Sequence, residues 1–169
     1  FRLEGFQTAF SINLPGFLAS LERRRPDVVI ANFELGPDDG LTLLRRVKAL
    51  VLEAPFTSVV DVGRQVWWFL PLRLVMTDQY RTIDRIGSVK VPLLIVHGAR
   101  DSMIPVNHAR AVYAAANEPK TLAILRRGDH NDLFDHGGWA KVEAFLDTRE
   151  PVRPAIVRPV YVEQVALAS

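Results

Sequence analysis

A chain of 169 residues, 49% hydrophobic and 24% charged, is long enough for one domain with a sizeable core. Its net charge of +2 gives no reason to expect a nucleic-acid surface, and the absence of cysteine excludes disulfides, thiol catalysis and cysteine-ligated metals. No apolar run reaches the roughly 18 residues of a membrane span. The chain starts at Phe1 without a basic-then-apolar leader, so a cytoplasmic fragment or processed chain is expected.

The elements alternate along the chain. "FQTAFS" (6–11) reads as a weak strand, and "LPGFLASLERR" (14–24) follows as a helix with Leu14, Phe17, Leu18 and Leu21 on one face. "DVVIANF" (27–33) is a strand, and "DDGLTLLRRVKAL" (38–50) a helix, with Asp38 and Asp39 suited to its N-terminal end. "ALVLEA" (49–54), "PLLIVHG" (92–98) and "TLAIL" (121–125) are continuous apolar runs bounded by turn formers, the pattern of parallel strands covered on both faces. Residues 55–90 break the rhythm and carry no strand signal. They read as one or two inserted helices, centred on 59–88 and placed as a lid, with Trp67, Trp68 and Phe69 expected in the core or lining an apolar pocket. "VNHARAVYAAAN" (106–117) and "GGWAKVEAFLDT" (137–148) are helical, the latter with Trp139, Val142, Phe145 and Leu146 on one stripe. The proline-rich tail 149–169 cannot be one helix; "AIV" and "VYVEQVALA" within it suit either paired edge strands or a loose segment.

Strands alternating with helices predict an α/β fold. The expected form is a three-layer parallel sheet of four or five strands, with helices on both faces and a short helical insertion. One domain over 1–148 is expected, with a tail at 149–169. An incomplete sheet exposes an edge, which predicts a homodimer through that edge.

In parallel sheets, chemistry gathers beyond the carboxyl ends of the strands. Asp101 follows "LLIVHGAR", His130 follows "LAILRRGD", and Thr57 and Ser58 follow "LVLEAPF". A carboxylate beyond one strand and a histidine beyond the next can form the acid–base half of a nucleophilic triad. His97 reads as a structural contact, and His108 and His136 as solvated or helix-end residues. Asp129, Asp132 and Asp135 crowd His130 without metal-ligand spacing, so neither a metal nor any other cofactor is expected.

The segment 49–148 resembles the C-terminal half of an α/β-hydrolase, of the group that includes prolyl oligopeptidases, serine aminopeptidases and bud-emergence-type hydrolases. The pieces that carry the likeness are "LVLEAPFTSVVDV", "VPLLIVHGARDSMIPVNHARAVYAAANEPKTLAIL" and "GDHNDLF". The resemblance implies Asp101 as triad acid, His130 as base, Pro105 opening the next helix, and hydrolysis of a small-molecule ester, amide or peptide. It also implies a G-x-S-x-G nucleophile elbow, and the sequence has none. The matching turn is "NFELG", with Asn32 for the first glycine and Glu34 for the serine. The nucleophile is therefore unknown, Ser58 reads as structural, and the chain is expected to be catalytically impaired. Residues 4–48 resemble part of a response-regulator receiver domain, with "PD" opening a strand, Asn32 at the phosphoacceptor position and "DGL" opening a helix. That second likeness implies a non-catalytic binding or scaffold domain, or a chimeric chain.

Overall fold

Apolar runs without alternation must be buried on both faces, and the two central ones are. A computed structural model describes residues 7–11, 28–31, 47–76, 79–147 and 155–159. In it Ala49–Glu53 (β3) and Leu93–Gly98 (β4) are buried at every position. Val28–Ala31 (β2) and Lys120–Leu125 (β5) flank them, giving an all-parallel sheet in the order β2-β3-β4-β5. Its register pairs Val28 with Ala49, Leu50 with Leu93, and Leu93 with Lys120. The predicted fifth strand is Gln7–Ser11 (β1). It pairs in parallel with Ala155–Pro159 (β6), the "AIV" segment of the tail, and β6 lies alongside β2.

Successive side chains of a strand point to opposite faces, and this divides the core in two. Leu50, Leu52, Leu93 and Ile95 face one side, where Ile86, Ala109 and Val112 cover them. Ala49, Val51, Leu94 and Val96 face the other, against Leu133, Val142, Phe145 and Leu146. Apart from Ile86 and Leu133, the covering residues belong to Val106–Ala115 and Trp139–Asp147, the helices read at 106–117 and 137–148. Each fully buried Leu, Ile or Val contributes roughly 1.5–3 kcal/mol. The three-layer α/β arrangement thus follows from the strand composition.

The insertion carries three short helices: Val59–Val66 (α1), Leu72–Val75 (α2) and Thr82–Arg85 (α3), the last running into a tighter turn at Ile86–Ser88. Val106–Ala115 and Trp139–Asp147 are α4 and α5. Pro105 stands immediately before α4, where its missing N–H is harmless. Ser58 caps α1: its hydroxyl accepts the Asp61 N–H at 3.0 Å.

Three expectations need correction. The helix read over 38–50 overruns, because Ala49 and Leu50 already belong to β3; the sequence carries no Gly or Pro between Leu41 and Leu52 to mark the boundary. Trp67, Trp68 and Phe69 are not core: they are 51%, 79% and 64% exposed. Their helix ends at Val66, so the helical stripe that would have turned them inward stops before them. His108 is buried rather than solvated. The helix over 14–24, Asp38, Asp39 and the turn bearing Asn32 and Glu34 lie outside the described residues.

Candidate active site

Asp101 and His130 come together at the carboxyl end of the sheet. β4 and β5 are adjacent, so the loops leaving them are neighbours. The Asp101 side chain is fully buried, and its carboxylate accepts three hydrogen bonds and lies in contact with His97. Oδ1 takes the backbone N–H of Met103 at 3.0 Å and of Ile104 at 2.6 Å. Oδ2 accepts from His130 Nδ1 at 2.9 Å, and His97 Nε2 lies 3.3 Å from it. A carboxylate only accepts, so His130 carries its proton on Nδ1. The His130 side chain is 13% exposed, and its Nε2 has no hydrogen-bond partner among the described residues. That is the tautomer and orientation a general base requires.

The electrostatics agree with the geometry. The hydrogen bond that His130 donates to Asp101 raises the His130 pKa above the ordinary imidazole value, against burial, with Asp101, Glu53 and Asp129 adding negative charge. Burial alone would raise the Asp101 carboxyl, but the hydrogen bonds from His130 and the Ile104 N–H outweigh it and hold it below the usual carboxylate range. Each partner therefore favours the other's charged form.

A glycine lets the two loops approach. A Cβ on Gly98 would stand 2.3 Å from the Gly128 carbonyl oxygen and 2.9 Å from that of Asp129. Hydrogen bonds stitch the crossing: Ala99 N–H donates to Leu125 O at 2.8 Å, and Arg100 N–H to Gly128 O at 3.0 Å. The acid's loop thereby lies directly on the base's loop.

Sequence reasoning missed Glu53 as a neighbour of the base and, for His97, the contact with the acid that accompanies its structural bond. Glu53 is buried at the end of β3, near enough for its charge to act on His130. The signal was visible: a carboxylate closing an otherwise apolar buried run must have a use or a partner. His97 was read as structural, yet it also reaches Asp101. Its Nε2–H donates to the Ile104 carbonyl at 2.8 Å, its Nδ1 is buried without a partner among the described residues, and burial pushes its pKa down.

The hydroxyls near the site are engaged elsewhere. Ser58 is fully buried as a helix cap. Thr57 Oγ1 donates to Asp61 Oδ2 at 2.8 Å and accepts from His108 Nδ1 at 2.9 Å, while Gln65 Nε2 donates to His108 Nε2 at 2.8 Å. This chain of bonds ties α1 to α4. His136 donates to Asp132 Oδ2 at 3.1 Å on the surface.

An uncharacterised protein of Mycobacterium tuberculosis is 41% identical over 93 residues, covering 55% of this chain and 33% of that protein. The α/β hydrolase domain-containing protein WAV2 of Arabidopsis thaliana is 31% identical over 147 residues, covering 73% of this chain and 48% of WAV2. The esterase domain of a Rhodothermus marinus protein superposes with a TM-score of 0.54 at 17% identity, covering 77% of this chain and 65% of that domain. This chain has an α/β-hydrolase-like fold. It spans between a third and a half of the length of these two relatives, and no family model matches it.

The receiver resemblance of residues 4–48 gains no support. A match over 77% of 169 residues is longer than the whole of 49–169, so the hydrolase-like architecture runs into the first 48. β2, read as the receiver's strand, pairs in register with β3. The physical reason for the misreading is that both folds repeat the same strand–helix unit, so a 45-residue stretch of either looks alike. The chimera it suggested is likewise unsupported. Among the described residues no helix is long and apolar enough to cross a membrane.

Proposed function

We propose that this chain carries the acid–base half of a serine-hydrolase site for small-molecule esters, amides or peptides, and that as written it is catalytically impaired. The observation behind the first part is the 2.9 Å hydrogen bond from His130 Nδ1 to the buried Asp101 carboxylate, with Nε2 left to take a proton. In the reaction, a serine hydroxyl would give its proton to His130 Nε2 as its oxygen attacked the carbonyl carbon. His130 would then pass that proton to the leaving group, while Asp101 held the imidazolium.

The second part is supported by the lack of any G-x-S-x-G in the sequence and by the prior bonds of Ser58 and Thr57. A fluorophosphonate probe and p-nitrophenyl acetate test it. The expected result is neither labelling nor turnover that depends on His130. Turnover that disappears in His130→Ala would overturn the impairment. The double variant Asn32→Gly, Glu34→Ser rebuilds part of the elbow at its matching turn, and His130-dependent labelling there is the expected gain. A homodimer through the sheet edge is proposed at β5, the end of the four-stranded order, and monomeric elution with light scattering would count against it.

A further inference from the structure

Asp129 immediately precedes the base and accepts from both loops of the site. Its Oδ1 takes the backbone N–H of Ser102 at 2.8 Å, the Ser102 hydroxyl at 3.0 Å and the backbone N–H of His130 at 2.8 Å, while Oδ2 lies 3.2 Å from the same hydroxyl. Ser102 is the residue after Asp101. The Ser102–Asp129 contact therefore runs one residue along from each member of the Asp101–His130 contact. Two parallel bridges join the loops, one through the side chains of the pair and one beside it. Asp129 is fixed in turn: its own N–H donates to Asp132 Oδ1 at 2.6 Å, and Asp132 Oδ2 accepts from His136. Two of the three aspartates crowding His130, Asp129 and Asp132, are thus spent on holding a loop.

We infer that Asp129 is a positioning residue, whose carboxylate clamps the His130 loop to the Ser102 N–H and thereby sets the His130–Asp101 hydrogen bond. This rests on the acid–base reading above. The physical argument is that Asp101 is held internally by Met103 and Ile104, whereas His130 follows a short loop after β5 and must be located by contacts across to the other loop. A carboxylate receiving two backbone N–H groups makes strong, directed, charge-assisted bonds. The test has to separate position from charge, because Asp129 also adds negative charge near His130.

Two substitutions cross those effects. Asp129→Asn keeps an oxygen where Oδ1 stands and removes the charge. Asp129→Glu keeps the charge and displaces the oxygens. Asp129→Ala removes both. The readout is the titration of His130 by histidine-labelled NMR, together with its low-field Nδ1 proton. The charged groups acting on His130 are Asp101 from the β4–α4 loop, Glu53 from β3 and Asp129 from its own loop, with His97 of β4 coupled to it. Positioning predicts that D129N retains the wild-type titration and the low-field proton. D129E and D129A lower the midpoint toward that of a free histidine and lose the proton. The reverse order, with D129E like wild type and D129N like D129A, would show charge alone. Wild-type behaviour in all three would remove the role. If D129A does not fold, the D129N and D129E pair still decides. No turnover is needed, so the outcome is independent of the activity assay.

Discussion

His97 and Asp101 stand four residues apart with both side chains fully buried, His97 Nε2 lying 3.3 Å from Asp101 Oδ2. The same N–H reaches the Ile104 carbonyl at 2.8 Å. One imidazole therefore braces the acid and the loop that follows it. His97→Leu keeps the volume roughly but strands the Ile104 carbonyl in the interior, and an unsatisfied buried acceptor costs about 1–3 kcal/mol. A lowered urea midpoint with unchanged slope is expected, and an unchanged midpoint would show that the brace carries no stability.

Gly98→Ala should harm the site more than its size suggests. The added Cβ meets backbone carbonyls at 2.3 and 2.9 Å, so no side-chain rotation relieves it. The base loop has to move, at about 1–3 kcal/mol for the strain. The expected result is lower stability together with a His130 titration shifted toward the ordinary value. Gly128→Ala is the control: its closest contact, at 2.9 Å, is Leu133 Cδ2 near the end of a side chain, so a smaller effect is expected. Equal effects in the two variants would argue against the close crossing as the cause.

The parts of this structure that could be read from sequence are those set by short-range chemistry. Continuous runs of Val, Ile and Leu can only be strands covered twice, so β3, β4 and β5 were placed within a residue or two. Asp101 and His130 were found because function follows strand ends in a parallel sheet. The bond chain through Thr57, Asp61, Gln65 and His108 was not legible, since it joins residues 43 to 51 positions apart. The Ser102–Asp129 bridge spans 27 positions, and crowded aspartates look the same in a metal site, a solvated loop and a clamp. The first strands were read as a different fold because both folds repeat the same strand–helix unit over so short a stretch.

The exposed apolar turn after α1 gives a prediction about solution behaviour. Trp68 and Phe69 meet edge to face with ring centres 6.0 Å apart, yet both remain largely exposed. Trp68→Ser with Phe69→Ser should change the unfolding free energy little, about 0.5 kcal/mol or less per site as for other surface positions. It should reduce concentration-dependent light scattering, because the exposed apolar surface shrinks. A large loss of stability would mean that these rings are buried in solution.

The three histidines at the site pull stability in opposite directions with pH. Burial pushes His97 and His108 below the ordinary value of about 6.5. The folded chain resists protons there that the unfolded chain accepts, so their contribution is present above about 6.5 and lost as pH falls through the folded values. His130 is raised, first by the hydrogen bond it donates to Asp101. Its contribution is fully present below about 6.5 and is lost as pH rises through its folded value. Asp101 is depressed, so its contribution is present above about 3.9 and does not vary across the neutral-to-mildly-acidic window. Two groups thus lose stability on mild acidification while one offsets them. His130→Gln removes the offset, so its unfolding free energy should fall more steeply than wild type between neutral and mildly acidic pH. His108→Gln removes one opposing group and should flatten the curve. Urea unfolding at a series of pH values measures both slopes, and a His130→Gln profile parallel to wild type would mean that the Asp101–His130 bond does not form in solution.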